Sequence, residues 1–173
     1  MIQLIKVIGI CGFITCLFIM YGTDHGIHGI QMYNRSFRLL DMQFHYSSET
    51  VKQTFEQINS GGRSAYQKYL VLDFIFIIFF LITMITTTDA VFGSPHVRTI
   101  LYMVCGLRAF FDIVENILLL RMLGQYPLFN EATATICSWF TTFKFIMLYI
   151  WLLSIAAQTI IYVINSIRRY FIT

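Results

Sequence analysis

Residues 108–121 read "RAFFDIVENILLLR". They lie inside a long apolar segment, yet they include Arg108, Asp112, Glu115 and Asn116. A helix turns about 100° per residue. With Arg108 at zero, Asp112 falls near +40°, Glu115 near −20° and Asn116 near +80°, roughly one polar stripe. Arg121 falls on the opposite side. A polar stripe at hydrocarbon depth must face other protein or a cavity, not lipid. The stretch therefore reads as one helix of a membrane bundle, with its charges turned inward.

Composition agrees with that reading. The chain has 173 residues, 57% of them hydrophobic and only 12% charged, against roughly 25% charged in a soluble domain. The apolar residues come in blocks, as membrane spans do. The expected class is an all-α integral membrane protein, residues 1–173 forming one domain. The net charge of +3 forms no basic stripe, so no nucleic-acid partner is expected. The lipid bilayer is the expected partner, with other membrane-protein subunits as a further class.

Four spans are expected, near residues 2–20, 69–88, 98–122 and 132–164. Each approaches or exceeds the roughly 20 residues needed to cross. The first run, "MIQLIKVIGICGFITCLFIM", is followed by "YGTDHG" and not by a small-x-small cleavage site, which favours a retained span. The links at 89–97 and 123–131 are short, so spans two, three and four are antiparallel neighbours. Residues 21–68 form one long polar loop. Within it "LLDMQFHY" alternates apolar and polar residues, the pattern of a short extended segment. "SSETVKQTFEQINSGG" then carries helix punctuation. Ser47 or Ser48 suits the N-cap, Val51, Phe55 and Ile58 line one face, and Gly61–Gly62 suit a stop. This amphipathic helix is expected to lie over one mouth of the bundle as a lid.

Spans two and four offer the stripe its complement. Lys144 lies about twelve residues into span four, with Cys137, Thr141, Leu148 and Trp151 on its face. Asp73 lies on span two with Tyr66 and Tyr69. Measured from the loop side at 1.5 Å per residue, Asp73 lies roughly 6 Å deep, Glu115 10 Å, Asp112 15 Å, Lys144 18 Å and Arg108 20 Å. These five groups and Asn116 form the candidate binding cluster. Arg108 and Asp112 have i, i+4 spacing for an ion pair. Lys144 is placed to reach Asp112 or Glu115. Two cations against three carboxylates leave one negative charge. A proton, Arg63 or Lys68 from the loop, or a bound cation would neutralise it. Asp41, His45, Tyr46, Arg63 and Tyr66 are the lid candidates above the cluster.

Other features read as structural. Cys11, Cys16, Cys105 and Cys137 lie in or at apolar segments with no CxxC or Cys/His grouping, so neither a zinc site nor a redox pair is indicated. His25 and His28 beside glycines suit a polar loop. Asp112 and Glu115 at i, i+3 have divalent-ligand spacing, but Arg108 and Lys144 argue against a metal. No cofactor is indicated. Tyr33, Tyr46, Tyr66, Tyr69 and Tyr126 gather near the loop side, as aromatic belts do, and the basic residues lean to cytosolic or matrix termini. That fits a bacterial inner membrane or an organelle membrane.

The motif string has a likeness. "LDMQFHYS" is followed by "GRSAYQKYLVLDFIF", "FFDIVENILLL", "YP" at Tyr126–Pro127, and Lys144. This resembles a recurrent group of small four-span membrane proteins for which no activity is established. The resemblance covers residues 40 to about 153. Asp41, Tyr46, Arg63, Tyr66, Asp73, Asp112, Glu115, Asn116 and Lys144 match the group's pattern by position. Ile77 departs from it, since the group usually has a proline there, a residue that would kink span two. The resemblance implies the four-span architecture and the polar cluster, and it implies no reaction.

The expected function is a non-catalytic membrane protein, an accessory or assembly subunit with a buried polar network. The alternative is a binding or transport protein that handles a proton or a polar head group at that network. A lipid-modifying enzyme is the weakest reading, because nothing in the sequence places a nucleophile.

Overall fold

Loop and helices pack around the buried charges in two apolar layers. The architecture is that of a computed structural model, which describes the backbone of residues 2–172 and the side chains of residues 3–169. Helix α1 (Ile2–Gly22) is followed by the short α2 (Ile27–Gln31), a 3-10 turn (Leu40–Met42) and α3 (Ser48–Gln57). The long helices α4 (Asn59–Val91), α5 (Pro95–Gln125) and α6 (Glu131–Ile172) complete the chain. No strand occurs among the described residues.

Three stretches are long and apolar enough to cross a membrane: Gln3–Gln31, Asn59–Val91 and Glu131–Arg169. Helix α5 is of similar length, 31 residues. Its interior charges set it apart from those three by composition. Pro95 opens α5 at its first turn, where a missing N–H costs nothing.

The long helices pack mainly on their neighbours in sequence, and α4 also touches α6, where Trp151 Nε1 donates to Thr88 Oγ1 at 3.0 Å. Helix α1 packs on α4, α4 on α5, and α5 on α6. Helices α1 and α6 share no extended interface. Glycines allow the α1–α4 contact. A Cβ on Gly9 would strike Ile82, and one on Gly12 would strike the Phe79 ring. Small residues of this kind let membrane helices approach closely. Gly12→Val is expected to push α1 from α4 and to cost about 1–3 kcal/mol, the range for overpacking. Gly106→Val, at a position with open space around it, should leave thermal unfolding unchanged. Equal melting temperatures for the two variants would remove this account of the α1–α4 contact.

The loop differs from the sequence reading in two places. The alternating "LLDMQFHY" begins with a 3-10 turn instead of a strand-like segment. Leu40 and Asp41 are both buried, because the Tyr66 hydroxyl accepts from Leu40 N at 3.2 Å and donates to Asp41 Oδ1 at 3.1 Å. Tertiary bonding has overridden the period-2 pattern. Second, Gly61 and Gly62 do not stop α3. The break falls at Ile58–Asn59, and the glycines sit in the first turn of α4. Asn59 takes a positive φ of 51°, which Asn tolerates better than most residues. Its Oδ1 accepts from Gly61 N at 2.9 Å, capping the new helix. Residues 59–68, read as loop, are thus a continuation of the second long helix. That helix runs unbroken past Ile77.

Helix α3 has Ser47 as its N-cap, accepting from Thr50 N at 3.1 Å. Val51, Phe55 and Ile58 are fully buried. They join Phe37, Leu40, Tyr66, Tyr69, Leu119 and Met122 in one apolar cluster at the loop end of the bundle. A smaller cluster of Met84, Phe92, Leu101, Cys105 and Trp151 fills the other end. At that far end Lys6 meets Asp89 at 3.1 Å, and Tyr102 donates to the same carboxylate. The charged belt lies between the two clusters.

Candidate functional site

Helix α5 turns its stripe inward. Arg108, Asp112, Glu115 and Asn116 are all buried, as are Asp73 on α4 and Lys144 on α6. Arg108 Nη2 meets Asp112 Oδ2 at 2.6 Å. Lys144 bridges both acids, 2.9 Å from Asp112 Oδ1 and 2.5 Å from Glu115 Oε2. Thr141 donates to Glu115 Oε1 at 2.6 Å, and Asn116 Nδ2 donates to Asp73 Oδ2 at 2.6 Å. One lysine therefore joins α5 to α6, and one amide joins α5 to α4. A buried charge without such a partner is costly.

The lid candidates divide. Asp41 sinks into the site and is almost fully buried. Burial pushes its carboxyl above the ordinary carboxylate range, partly offset by the Lys144 cation and the Tyr66 donor. A raised folded-state value favours the protonated form. Its contribution to stability is therefore complete below about pH 4 and declines as pH rises through the raised value. Asp41→Asn is expected to flatten that part of a stability–pH profile, and an unchanged slope would count against it.

His45 and Tyr46 clamp the loop to α6. Ser138 Oγ lies 2.9 Å from His45 Nδ1 and accepts from Tyr46 N at 2.8 Å. The Tyr46 hydroxyl donates to Cys137 Sγ at 3.1 Å. Tyr66 and Tyr69 are core residues with essentially no exposure, so they are not part of an interfacial belt. They fill the space under the loop.

Arg63 does not lean into the cluster. Its Nη1 donates to the Phe55 carbonyl at 3.0 Å, and its guanidinium lies 4.3 Å from the Tyr126 ring centroid. Lys68 borders a separate open surface pocket with Asp24 and His25. Neither residue neutralises the buried acids. With Asp41 included, four buried carboxylates face two buried cations, a formal surplus of two negative charges. Asp41 and Asp73 each accept from a neutral donor, Tyr66 and Asn116. Neither has an ion-pair partner among the described residues. Arg108 Nε and Nη1 and Asn116 Oδ1 lack hydrogen-bond partners there too. The network is connected but incomplete.

A cavity of about 160 Å³ adjoins it. Asp41, Asp73, Arg108, Asp112 and Lys144 form its charged wall, and Phe76, Phe80, Phe145 and Leu148 part of its apolar wall. The guanidinium of Arg108 lies 4.4 Å from the Phe80 ring centroid, a cation–π contact. Leu17, Met20 and Tyr21 of α1 close the cavity from the front, where α1 faces α6 without packing on it. Glu115 does not line it.

No family model, curated protein or solved structure matches this chain.

The site must therefore be read from its own chemistry. Among the described residues no group of three or more His, Cys, Asp or Glu side chains is arranged to hold a metal ion. The reach of Asp41 was not legible in the sequence, which placed it only in the lid. The one pointer was a single acid within the apolar run "RLLDMQF". The part played by α1 had no clear signal, since Leu17 and Met20 are ordinary apolar residues of a span and Tyr21 stands at its polar end.

Proposed function

We propose that this chain is a four-span integral membrane protein, with α5 as the fourth span, that binds a small polar or amphiphilic ligand non-catalytically beneath its loop. The observation carrying this reading is the cavity bordered by Arg108, two of whose nitrogens have no hydrogen-bond partner, and by Asp41 and Asp73, which have no salt-bridge partner among the described residues. A purely architectural ion network would be dry and fully paired. Charged residues at membrane depth that border a cavity are the usual mark of a ligand or ion path. The packing supports lateral access, because α1 and α6 both border the cavity without sharing an extended interface.

The test is extraction in mild detergent followed by native mass spectrometry. The expected result is a small bound molecule on the full-length chain, lost in Leu148→Trp, which narrows the cavity. An empty chain in every preparation, or a bound molecule indifferent to that variant, would overturn the reading.

A second reading rests on α6. At 42 residues it spans about 63 Å, twice the roughly 30 Å hydrocarbon core. Ile160, Ile161, Tyr162, Val163, Ile164 and Ile167 are exposed along its distal part. That supports an accessory subunit whose projecting helix meets another membrane protein. The same preparation tests it: a co-purifying subunit, released on truncation after residue 158, is the expected result, and a monomer throughout counts against it.

A further inference from the structure

The binding reading leaves the ligand's chemistry open, and the cavity wall narrows it. Asp41 and Asp73 both border the cavity, and neither has a salt-bridge partner among the described residues. Arg108 borders it too, is buried, and has two nitrogens without acceptors. Asp112 and Lys144, paired with each other at 2.9 Å, border it as well, and the remaining wall is apolar or aromatic, with Tyr69, Phe76, Phe80 and Phe145 among it. Carboxylates set among aromatic faces recognise organic ammonium groups, by charge and by cation–π attraction. An anionic ligand without an ammonium would meet a wall on which three carboxyl groups outnumber two cations, which like-charge repulsion disfavours. An inorganic cation would find too few oxygen ligands among the aromatic rings.

We propose that the cavity holds an organic ammonium group bearing an oxygen acceptor a few bonds away, as ethanolamine and choline head groups do. This rests on the binding reading above. The ammonium sits against Asp73 and Asp41, and the acceptor oxygen meets the Arg108 guanidinium. The size fits. A cavity of about 150 Å³ accommodates a benzene-sized molecule, a group of about six heavy atoms. The position fits as well. Asp41 and Met42 of the loop border the same space as Leu17 of α1 and Leu148 of α6. A head group thus lies under the loop, and an attached chain leaves past Leu17 and Leu148, between helices that share no extended interface. Both an ethanolamine or choline lipid and a free amine of that chemistry satisfy the wall.

The test uses the full-length chain in nanodiscs with diazirine-bearing lipids. Four head groups are compared: ethanolamine, choline, glycerol, and a dialkyl-dimethylammonium lipid that has the ammonium without a phosphate. The readout is labelling of Leu17, Phe145 and Leu148 by mass spectrometry. Ethanolamine and choline lipids are expected to label about tenfold more than the glycerol lipid, a preference of about 1.4 kcal/mol. The dialkylammonium lipid should fall between, having no acceptor for Arg108. Asp73→Asn and Asp41→Asn each keep a hydrogen-bonding side chain for Asn116 or Tyr66, and each should erase the preference while unfolding near the wild-type temperature. Should one of them unfold early, the other carries the comparison. Millimolar choline or ethanolamine that suppresses labelling identifies the free amine as a ligand; labelling that persists identifies the lipid. Equal labelling by glycerol and ethanolamine lipids overturns the ammonium assignment and leaves the binding reading standing. No labelling by any lipid, together with no protection by the free amines, overturns both.

Discussion

Lys144→Met is expected to cost about 3–5 kcal/mol, the range for removing one partner of a buried ion pair. The reason is specific to this site. Lys144 lies within 2.9 Å of Asp112 and 2.5 Å of Glu115. Its removal leaves Glu115 without any ion-pair partner in a fully buried setting. Domains of ordinary stability have about 5–15 kcal/mol to lose, so the variant should unfold far below the wild-type melting temperature. The double variant Lys144→Met, Glu115→Gln removes the orphaned acid while keeping the Arg108–Asp112 pair, and should recover much of the loss. A Lys144→Met protein that melts with the wild type would show that the lysine does not hold α5 to α6.

The second large effect is expected at the loop. Phe55 is fully buried and stands edge-on to Tyr66, Tyr126 and Phe129, with centroids 5.9–6.4 Å away. Phe55→Ala should cost about 3–5 kcal/mol by lost contact and residual cavity. Unlike the lysine variant, it acts on one layer. Hydrogen exchange is the measurement that separates them. Residues 40–58 should lose protection in Phe55→Ala while α5 and α6 keep theirs. A uniform loss across all helices would mean that loop and bundle unfold as one unit.

Much of this molecule was legible in the chain. The stripe on α5 follows from helical periodicity alone, and the i, i+4 pair of Arg108 and Asp112 needs nothing more. The meeting of Lys144 with that pair follows from antiparallel neighbours joined by short links. What escaped was whatever depended on a third partner. Asp41 and Tyr66 are distant in sequence and meet only because the loop folds inward, so no local pattern announces them. Arg63 is the converse case. It was positioned to neutralise the acids, but a backbone carbonyl and an aromatic face hold it elsewhere. The glycine pair was misread for a related reason. Asn59 takes the positive φ that a glycine ordinarily supplies, and the glycines serve the start of the next helix.

Helices α1 and α6 both border the cavity without an extended interface between them. A cavity entered between these two helices, as proposed above, would communicate with the bilayer plane more directly than with the aqueous phase. For such a site, the concentration that sets occupancy is the mole fraction of ligand among the lipids. Titrations plotted against total molar concentration would shift with the amount of membrane present. Plotted against mole fraction, they should collapse onto one curve.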